Sequence, residues 1–235
     1  MKLGIIGAMD VEVATLKKMM EDKTVTSLAG MEFCAGTLEG VGAVVVQCGV
    51  GKVNAAMCAQ ILCDRFKVSH IINTGIAGSL DAGLDICDLV ISTDAIYHDF
   101  DLHFWGRPIG QVPGMDVVAF PADENLQKIA LAAAEAVNPG HAKSGRVASG
   151  DQFICSAEQK KKIIADTAAV CAEMEGAAIA HTAYRNGVPF VIIRAISDKA
   201  DGSAELDYPT FEAMAAKHCA QVTCSAAKQL AQKGN

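Results

Sequence analysis

One stretch near the end of the chain decides the fold: Val188-Pro189-Phe190-Val191-Ile192-Ile193-Arg194-Ala195-Ile196-Ser197-Asp198-Lys199-Ala200-Asp201. It begins with an unbroken apolar run and ends in charged and small residues, which is typical of a buried strand leading into a loop. Arg194, Ser197 and Asp198 fall at or just beyond the carboxyl end of this strand, where open α/β sheets bind ligands. Two interpretations stay open: Asp198 exchanges a proton with a ligand, or Arg194 and Asp198 form an ion pair that only fixes the strand end.

Segments typical of strands alternate with segments typical of helices along the rest of the chain. Strands are predicted at residues 2–7, 25–29, 31–38, 42–48, 70–74, 88–98 and 143–149. Helices are predicted at about 10–20, 49–66, 123–137, 156–165, 176–185 and 207–231. Asp10 is the predicted N-cap of the first helix. No repeat, linker or low-complexity tract interrupts this order, so we expect one α/β domain spanning residues 1–235.

Composition and charge narrow the class of protein. With 235 residues, of which 51% are hydrophobic and 20% charged, the chain is long and apolar enough for a large folded core. The formal net charge of -7 argues against a general nucleic-acid-binding surface, because such a surface needs a basic face to neutralise phosphates. We therefore expect no nucleic-acid partner.

The nine cysteines indicate a reducing compartment. They include no C-x-x-C pair and mostly lie in apolar segments, which favours free, buried thiols over disulfides or a zinc site. The apolar stretch at the N-terminus is too short for a signal peptide, and no run approaches the length of a membrane span. These observations predict a cytoplasmic protein without membrane contact.

Two glycine-rich segments follow predicted strands. Gly51-Lys52 resembles part of a phosphate-binding loop, but Val46 stands where the first glycine is required and Val53 replaces the magnesium-binding hydroxyl. Residues 75–79 are predicted as a loop whose backbone amides approach a small ligand. This loop lacks the G-x-G-x-x-G pattern, so a dinucleotide cofactor is not indicated.

Several further segments have two interpretations each. The long predicted loop 97–114 is either a lid or an interface. Its acidic and histidine side chains are either metal ligands or polar spacers between apolar anchors, and we favour the spacers. These side chains are His98, Asp99, Asp101 and His103. Phe153 either stacks on a flat ring or closes a turn as a core aromatic. Glu173 and Glu175 precede an apolar helix, where burial is costly unless one of them contacts a polar group.

Six motifs, in this order and spacing, resemble those of the bacterial 5'-methylthioadenosine/S-adenosylhomocysteine nucleosidases, a family of the nucleoside phosphorylase superfamily. The motifs are Gly4-Ile5-Ile6-Gly7-Ala8-Met9 with Glu12, Gly49-Val50-Gly51-Lys52-Val53, Ile72-Asn73-Thr74-Gly75, Ser149-Gly150-Asp151-Gln152-Phe153-Ile154, Glu173-Met174-Glu175-Gly176-Ala177-Ala178-Ile179-Ala180-His181 and Arg194-Ala195-Ile196-Ser197-Asp198. The resemblance covers almost the whole chain. It implies a three-layer sandwich in which helices flank a central, mixed, twisted sheet.

The resemblance implies hydrolysis of an N-glycosidic bond, with release of adenine and a 5-thioribose product, and without a cofactor or a metal. Adenine is a poor leaving group, so an acid must protonate its N7, and this role falls on Asp198. The ribose becomes oxocarbenium-like, and Glu175 would stabilise it. Glu12 would activate the attacking water.

The resemblance also implies the substrate contacts. Phe153 would stack on adenine and the backbone of Ile154 would read its edge. Met174 would lie against the ribose, and Arg194 would hold Glu175 or the substrate side of the site. The other expected contacts are Met9, Val50, Ile76, Ala77, Gly78, Glu173, Ser197 and Tyr208. In a homodimer, the loop 97–114 of the partner subunit would complete the pocket through the partner's Leu102, Trp105, Ile109 and Pro113, whose apolar character suits a thioether.

Two departures from the family pattern put substrate preference in doubt: Ile76 replaces a small hydroxyl residue, and Tyr208 replaces a Phe. A purine nucleoside phosphorylase is an alternative, although it needs several cations to bind phosphate and the chain has only five arginines. A nucleosidase for another adenine or futalosine-type nucleoside is a closer alternative. A non-catalytic nucleoside-binding relative is disfavoured because Glu12 and Asp198 are both present.

Overall fold

The computed structural model describes residues 1–233, apart from the side chains of Leu206 and Lys233. The strands are β1 Lys2–Gly7, β2 Glu21–Leu28, β3 Met31–Leu38, β4 Val41–Gln47, β5 His70–Ser79, β6 Leu89–Tyr97, β7 Phe120–Pro121, β8 Ala142–Ser149, β9 Cys171–Glu173 and β10 Phe190–Asp198. The helices are α1 Asp10–Met19, α2 Lys52–Asp64, α3 Glu124–Val137, α4 Ala157–Thr167, α5 Gly176–Asn186 and α6 Ala204–Lys233. A short 3₁₀ helix covers His103–Trp105. Residues 234–235 of the expected domain lie outside the described part.

The strands form one mixed sheet with parallel and antiparallel parts. Strands β4, β1, β5 and β10 lie side by side and parallel, while β2, β3 and β4 form an antiparallel meander. Strand β10 pairs with both β5 and β6, and β8 and β9 connect β6 back to β5. Five strands therefore close into a ring, and the other strands extend from it as an open sheet.

Helices cover both faces of the sheet, so the predicted three-layer α/β fold is confirmed. Ile72 and Ile193 point to a core shared with α1, α3 and α6, whereas Ile71 and Ile192 point to a core shared with α2 and α5. Neighbouring residues of a strand face opposite sides, so a strand buried on both faces is apolar at every position. This explains the unbroken apolar run of β10.

Several sequence-based assignments were wrong. Strand β2 begins at Glu21, four residues before its predicted start, and the two-residue strand β7 was not predicted. Residues 75–79 belong to strand β5 and not to a loop, because Gly75 and Gly78 pair with β10. The three-residue strand β9 was not predicted at all. The N-cap of α1 is Met9 and not Asp10. Helix α6 begins at Ala204, three residues before the predicted start, and includes Pro209 in its N-terminal part.

None of the helices within residues 1–233 is both long enough and apolar enough to cross a membrane.

Candidate active site

A cavity of about 330 Å³ lies at the carboxyl ends of the parallel strands β1, β5 and β10. This volume is in the range of small-molecule sites. The cavity is lined by Ala8, Met9, Glu12, Val50, Ile76, Ala77, Gly78, Gln152, Phe153, Ile154, Ala172, Glu173, Met174, Glu175, Ser197, Asp198 and Tyr208. Every residue of this chain's own expected site is among them except Arg194, and the sequence did not point to Ala8, Gln152 and Ala172.

Glu12 enters the cavity from the first turn of α1, just beyond β1. One carboxylate oxygen accepts hydrogen bonds from the backbone amides of Ala8 (2.6 Å) and Met9 (3.0 Å), and the other accepts from Ile76 (3.0 Å). Burial raises the pKa of Glu12, while the nearby Arg194 and these three amides lower it. Because every partner is a donor, the geometry suits an ionised carboxylate that is ready to accept a proton.

Arg194 lies beneath the cavity floor, with only 1% of its surface exposed. Its Nη2 donates to Oε2 of Glu173 and, at 2.5 Å, to Oδ1 of Asn73. The carboxylates of Glu175 and Glu12 are farther from the guanidinium, at 3.9 and 4.0 Å. Arg194 therefore bonds directly to Glu173, whereas its expected contact with Glu175 is a longer ion pair, and it balances part of the charge of three buried glutamates. Removing one partner of such a buried pair costs about 3–5 kcal/mol.

Glu173 is the most tightly held of these carboxylates. Besides Arg194, it accepts hydrogen bonds from the Ser149 hydroxyl and from the backbone amides of Glu175 (3.1 Å) and Gly176 (2.8 and 2.9 Å to its two oxygens). These amides open helix α5, where the helix dipole favours a negative charge. Ser149 also accepts from the backbone of Ala177 at 2.7 Å. Of the two glutamates before this helix, Glu173 has the structural partners.

Glu175 is buried but has few partners. Its Oε1 accepts a hydrogen bond from the backbone amide of Gly51 (2.8 Å), and its Oε2 lies 3.9 Å from Arg194. Burial raises the pKa of Glu175 to about 8, and the charge of Glu173 adds to this shift. Arg194 and the Gly51 amide act in the opposite direction. A carboxylate that lacks donors in this way is placed to interact with positive charge in the cavity.

Asp198 is the last residue of strand β10 and also lines the cavity. Its Oδ2 accepts from the Ser197 hydroxyl (2.9 Å) and its Oδ1 from the Ala200 amide (2.8 Å). Within the described residues, no cationic group lies within 4.0 Å of this carboxylate, so the ion pair with Arg194 considered from the sequence is absent. Burial is the main cause that raises the pKa of Asp198. The environment therefore favours the protonated acid.

The outer end of the cavity is aromatic and partly open to solvent. Phe153 is 44% exposed and packs edge-to-face against Tyr208, with ring centroids 5.6 Å apart. This exposure favours a stacking surface over a core aromatic. The Tyr208 hydroxyl donates to Glu212 (3.0 Å) and lies 3.3 Å from Sδ of Met9. Val50, which is 48% exposed, completes this end.

The acidic and histidine side chains of the loop 97–114 do not meet as a metal site. Asp101 pairs with His103, while Asp99 pairs with Lys52. Within residues 1–233, no group of three or more histidine, cysteine or acidic side chains is arranged to bind a metal ion.

Two polar residues of the site were quoted within motifs but not assigned a role. Asn73 accepts from Arg194 and donates to the Ile6 carbonyl at 3.0 Å, and Ser149 bridges Glu173 and the start of α5. A sequence signal existed for Asn73, since a polar residue in the middle of an apolar strand needs a buried partner. Ser149 stands at the end of a strand, where a polar residue is common, and its position carries no such signal.

Comparisons with known proteins give the same family from sequence and from structure. The model of the phosphorylase superfamily matches residues 2–228. A protein from Geobacillus thermodenitrificans (strain NG80-2), named 5'-methylthioadenosine/S-adenosylhomocysteine nucleosidase, is 42% identical over 226 residues, which cover 96% of this chain and 95% of the relative.

Two solved structures superpose on nearly the whole chain. The 5'-methylthioadenosine/S-adenosylhomocysteine nucleosidase from Neisseria meningitidis, in complex with methylthio-immucillin-A, has a TM-score of 0.94 at 36% identity and covers 97% of this chain and 99% of its own. Futalosine hydrolase of Helicobacter pylori strain 26695 has a TM-score of 0.92 at 30% identity, with 97% of both chains covered. The resemblance inferred from the six motifs is thereby confirmed. The chain belongs to the phosphorylase superfamily and, within it, to the family of the 5'-methylthioadenosine/S-adenosylhomocysteine nucleosidases.

Proposed function

We propose that this protein hydrolyses the N-glycosidic bond of 5'-methylthioadenosine and S-adenosylhomocysteine, releasing adenine and the corresponding 5-thioribose. The observation that carries the proposal is that one cavity is lined by the three carboxylates of Asp198, Glu12 and Glu175, of which the last two lie within 4.0 Å of Arg194 and the first does not. The names of the Geobacillus relative and the Neisseria structure support the same activity. The chemistry needs an acid, a base and an anion, and no cofactor.

At the purine end, Asp198 acts as the general acid that protonates N7 of adenine. Its pKa is raised, mainly by burial, which favours the protonated form that a general acid needs. The half-exposed ring of Phe153 stacks on the base, and the backbone of the buried Ile154 contacts its edge. Ser197 supports Asp198 through its 2.9 Å hydrogen bond. Ala77 and Gly78, on the neighbouring strand β5, line the cavity beside this acid.

At the ribose end, Glu175 stabilises the positive charge that develops on the sugar as the glycosidic bond breaks. Met174 packs against the ribose. Glu12 takes a proton from the attacking water; its three amide donors and Arg194 favour the ionised form that this step needs, against the burial that raises its pKa. Arg194 does not touch the substrate; it offsets the charge of the glutamates and orients Glu173.

The 5'-alkylthio group extends to the outer end, between Met9, Val50 and Tyr208. We propose that a second copy of the chain covers this end in a homodimer. The support is the loop 97–114, in which Phe104 is 92% and Trp105 76% exposed, far more than apolar side chains usually are in a monomer. In that dimer the partner's Leu102, Trp105, Ile109 and Pro113 contribute to the pocket.

The cavity's charge disfavours a phosphorylase. Among the described residues that line it, four are acidic and none is a lysine or arginine, whereas a phosphate dianion requires cationic partners. The likeness to a futalosine hydrolase makes futalosine-type nucleosides the second candidate substrate class.

The nine cysteines, all free, support a reducing cytoplasmic compartment.

Product analysis with 5'-methylthioadenosine, with and without phosphate in the buffer, tests the proposal. We expect adenine and free methylthioribose at a rate that phosphate does not change. A sugar phosphate that forms only when phosphate is present would make the protein a phosphorylase and remove the role of Glu12. Turnover of futalosine alone would move the protein to the second substrate class.

A further inference from the structure

Three segments that are distant in sequence meet beside the cavity at one charged cluster. Lys52 begins helix α2, Asp99 stands near the start of the loop 97–114, and Asp151 lies in the loop that follows β8. We call Lys52, Asp99 and Asp151 the junction. None of the three lines the cavity, and the proposed chemistry uses none of them.

The junction is held by both side-chain and backbone hydrogen bonds. The ammonium of Lys52 lies 2.5 Å from Oδ2 of Asp99 and 3.6 Å from Oδ2 of Asp151. The same Asp99 oxygen accepts from the backbone amide of Asp151 at 3.0 Å, and Oδ1 of Asp151 accepts from the backbone amide of Lys52 at 2.9 Å. Lys52 also lies over the ring of Tyr97, 5.7 Å from its centre. Each segment is thus bonded to both of the others.

Asp151 supplies the cap that helix α2 lacks. The N-cap of this helix is Gly51, which has no side chain to satisfy the first free amides. The Lys52 amide instead donates to Asp151, and the Gly51 amide donates to Glu175 at 2.8 Å. Gly51 has a φ of +98°, and a Cβ there would lie 3.1 Å from Oδ1 of Asp151. Only glycine allows this approach of the loop to the helix.

The junction adjoins groups at both ends of the cavity. One residue before Lys52, the Gly51 amide meets the carboxylate of Glu175; two residues after Asp151, Phe153 forms the proposed adenine surface. Displacements of about 1 Å at such groups change rates by up to about 100-fold. We propose that the junction is a positioning device: Lys52 fixes the spacing between the Glu175 contact and the Phe153 loop. This inference rests on the proposed function.

A second lysine, close to the other end of helix α2, provides a matched control. Lys67, just beyond the end of α2, pairs with Asp64 at 3.3 Å, but these side chains are 76% and 63% exposed. Exposed pairs of this kind contribute little. The side chains of Lys52 and Asp99 are only 25% and 17% exposed, and their pair joins distant segments.

The test compares Lys52→Met, Lys52→Arg and Lys67→Met in the full-length protein, with hydrolysis of 5'-methylthioadenosine and thermal unfolding as readouts. For Lys52→Met we expect KM to rise about tenfold and kcat/KM to fall about 10- to 100-fold. Lys52→Arg keeps a cation opposite Asp99 and should restore kcat/KM to within about fivefold of wild type. Lys67→Met should match wild type within about twofold. A loss of folded protein alone would lower the apparent kcat and leave KM unchanged.

Two further measurements make the outcome unambiguous. Asp99→Asn combined with Lys52→Met should be no worse than either change alone, because both break the same contact. Amide hydrogen exchange at residues 51–53 and 150–153 should be at least about tenfold faster in Lys52→Met than in Lys67→Met. A KM equal to wild type, multiplying effects in the double variant, or unchanged exchange would each overturn the proposal. If wild type cleaves no 5'-methylthioadenosine, the proposed function fails, and the exchange result alone decides whether the junction orders the two loops.

Discussion

The two ends of the cavity use the same chemical group in opposite ways. At the ribose end three buried glutamates surround one buried arginine, with Glu173 bonded to Arg194 and the carboxylates of Glu12 and Glu175 within 4.0 Å of it. At the purine end Asp198 has only a hydroxyl and one amide as partners. The comparison shows that the carboxylates of one cavity differ in whether a cation offsets their burial: those of the ribose end lie within 4.0 Å of Arg194, whereas no cationic group among the described residues lies that close to Asp198.

The nearby charges strengthen this difference. Arg194 lowers the pKa of Glu12 and Glu175, against the effect of their burial. The acidic side chains of Asp201 and Asp207 instead add to the effect of burial on Asp198. The proposed acid and base therefore differ in their surroundings, since the chemical groups themselves are alike.

The largest expected effect is that of Asp198→Asn, which removes the proposed acid from the purine end of the cavity. Asparagine keeps the shape and can hydrogen-bond to a base, but it cannot transfer a proton, so kcat should fall about 1,000-fold or more. Adenine binding, measured by calorimetry, should stay within about threefold of wild type. Asp201→Asn, three residues along and bonded mainly to Ser203, is the control and should keep activity within about threefold. Turnover of Asp198→Asn close to wild type would remove the acid from the mechanism.

Gly75→Ala should damage the ribose end alone. A Cβ at Gly75 would lie 2.2 Å from Nη1 of Arg194 and 2.3 Å from Oε1 of Glu12, which forces both charged groups to move. We expect kcat/KM for 5'-methylthioadenosine to fall about 100-fold, while adenine binding changes less than about threefold. Gly202→Ala, where a Cβ meets nothing within 4 Å, is the control. Equal losses of hydrolysis and adenine binding would show that the two ends do not act separately.

The smallest expected effect is on stability, through Glu175→Gln. The folded state keeps the Glu175 proton up to about pH 8, whereas the unfolded chain releases it near the ordinary pKa of about 4.3. Between these values the folded state binds more protons, so wild-type stability falls as pH rises. Glutamine removes this dependence, so the Tm of the variant should rise relative to that of wild type from pH 5 to pH 8, by roughly 7–14 °C, and then level off.

Thermal unfolding of both proteins at pH 5 to 9 checks this stability prediction. Glu32→Gln, on the exposed side of β3, should show a difference from wild type that does not change with pH. A constant difference for Glu175→Gln as well would mean that the buried carboxyl group does not carry the shift.

Apolar runs and helical spacing predicted one α/β domain because they report burial directly, whereas the three layers were implied by the family resemblance. Prediction from the sequence failed where one residue type serves two structures. The glycines of residues 75–79 indicated a loop, yet Gly75 and Gly78 lie in strand β5. Both positions require glycine because the side chains of Arg194, Glu12 and Asp198 approach the backbone too closely for a Cβ atom. Strand β9 was missed because three residues are too few to show the alternation of apolar and polar side chains that identifies a strand.

The family resemblance of the motifs implied that the acidic residues share one site, but it did not identify the hydrogen-bond partners of each carboxylate. Arg194 contacts Glu173, a residue that is 21 positions away and lies on a different strand. Which of two glutamates, Glu173 or Glu175, takes that contact depends on the turn between β9 and α5. Such a choice is made by packing, and no spacing rule in a single sequence encodes it.

The closed ring of strands has a consequence for the order in which the protein can be made. The ring needs β10, residues 190–198, to pair with β5 and β6, which precede it by about a hundred residues. Non-local pairings of this kind form slowly, and chains emerge from the ribosome N-terminal end first. Glu12 is synthesised early, while Arg194 and Asp198 arrive with this late strand. A growing chain therefore carries Glu12, the proposed base, long before Asp198, the proposed acid, and the proposed hydrolysis becomes possible only once most of the chain has been made.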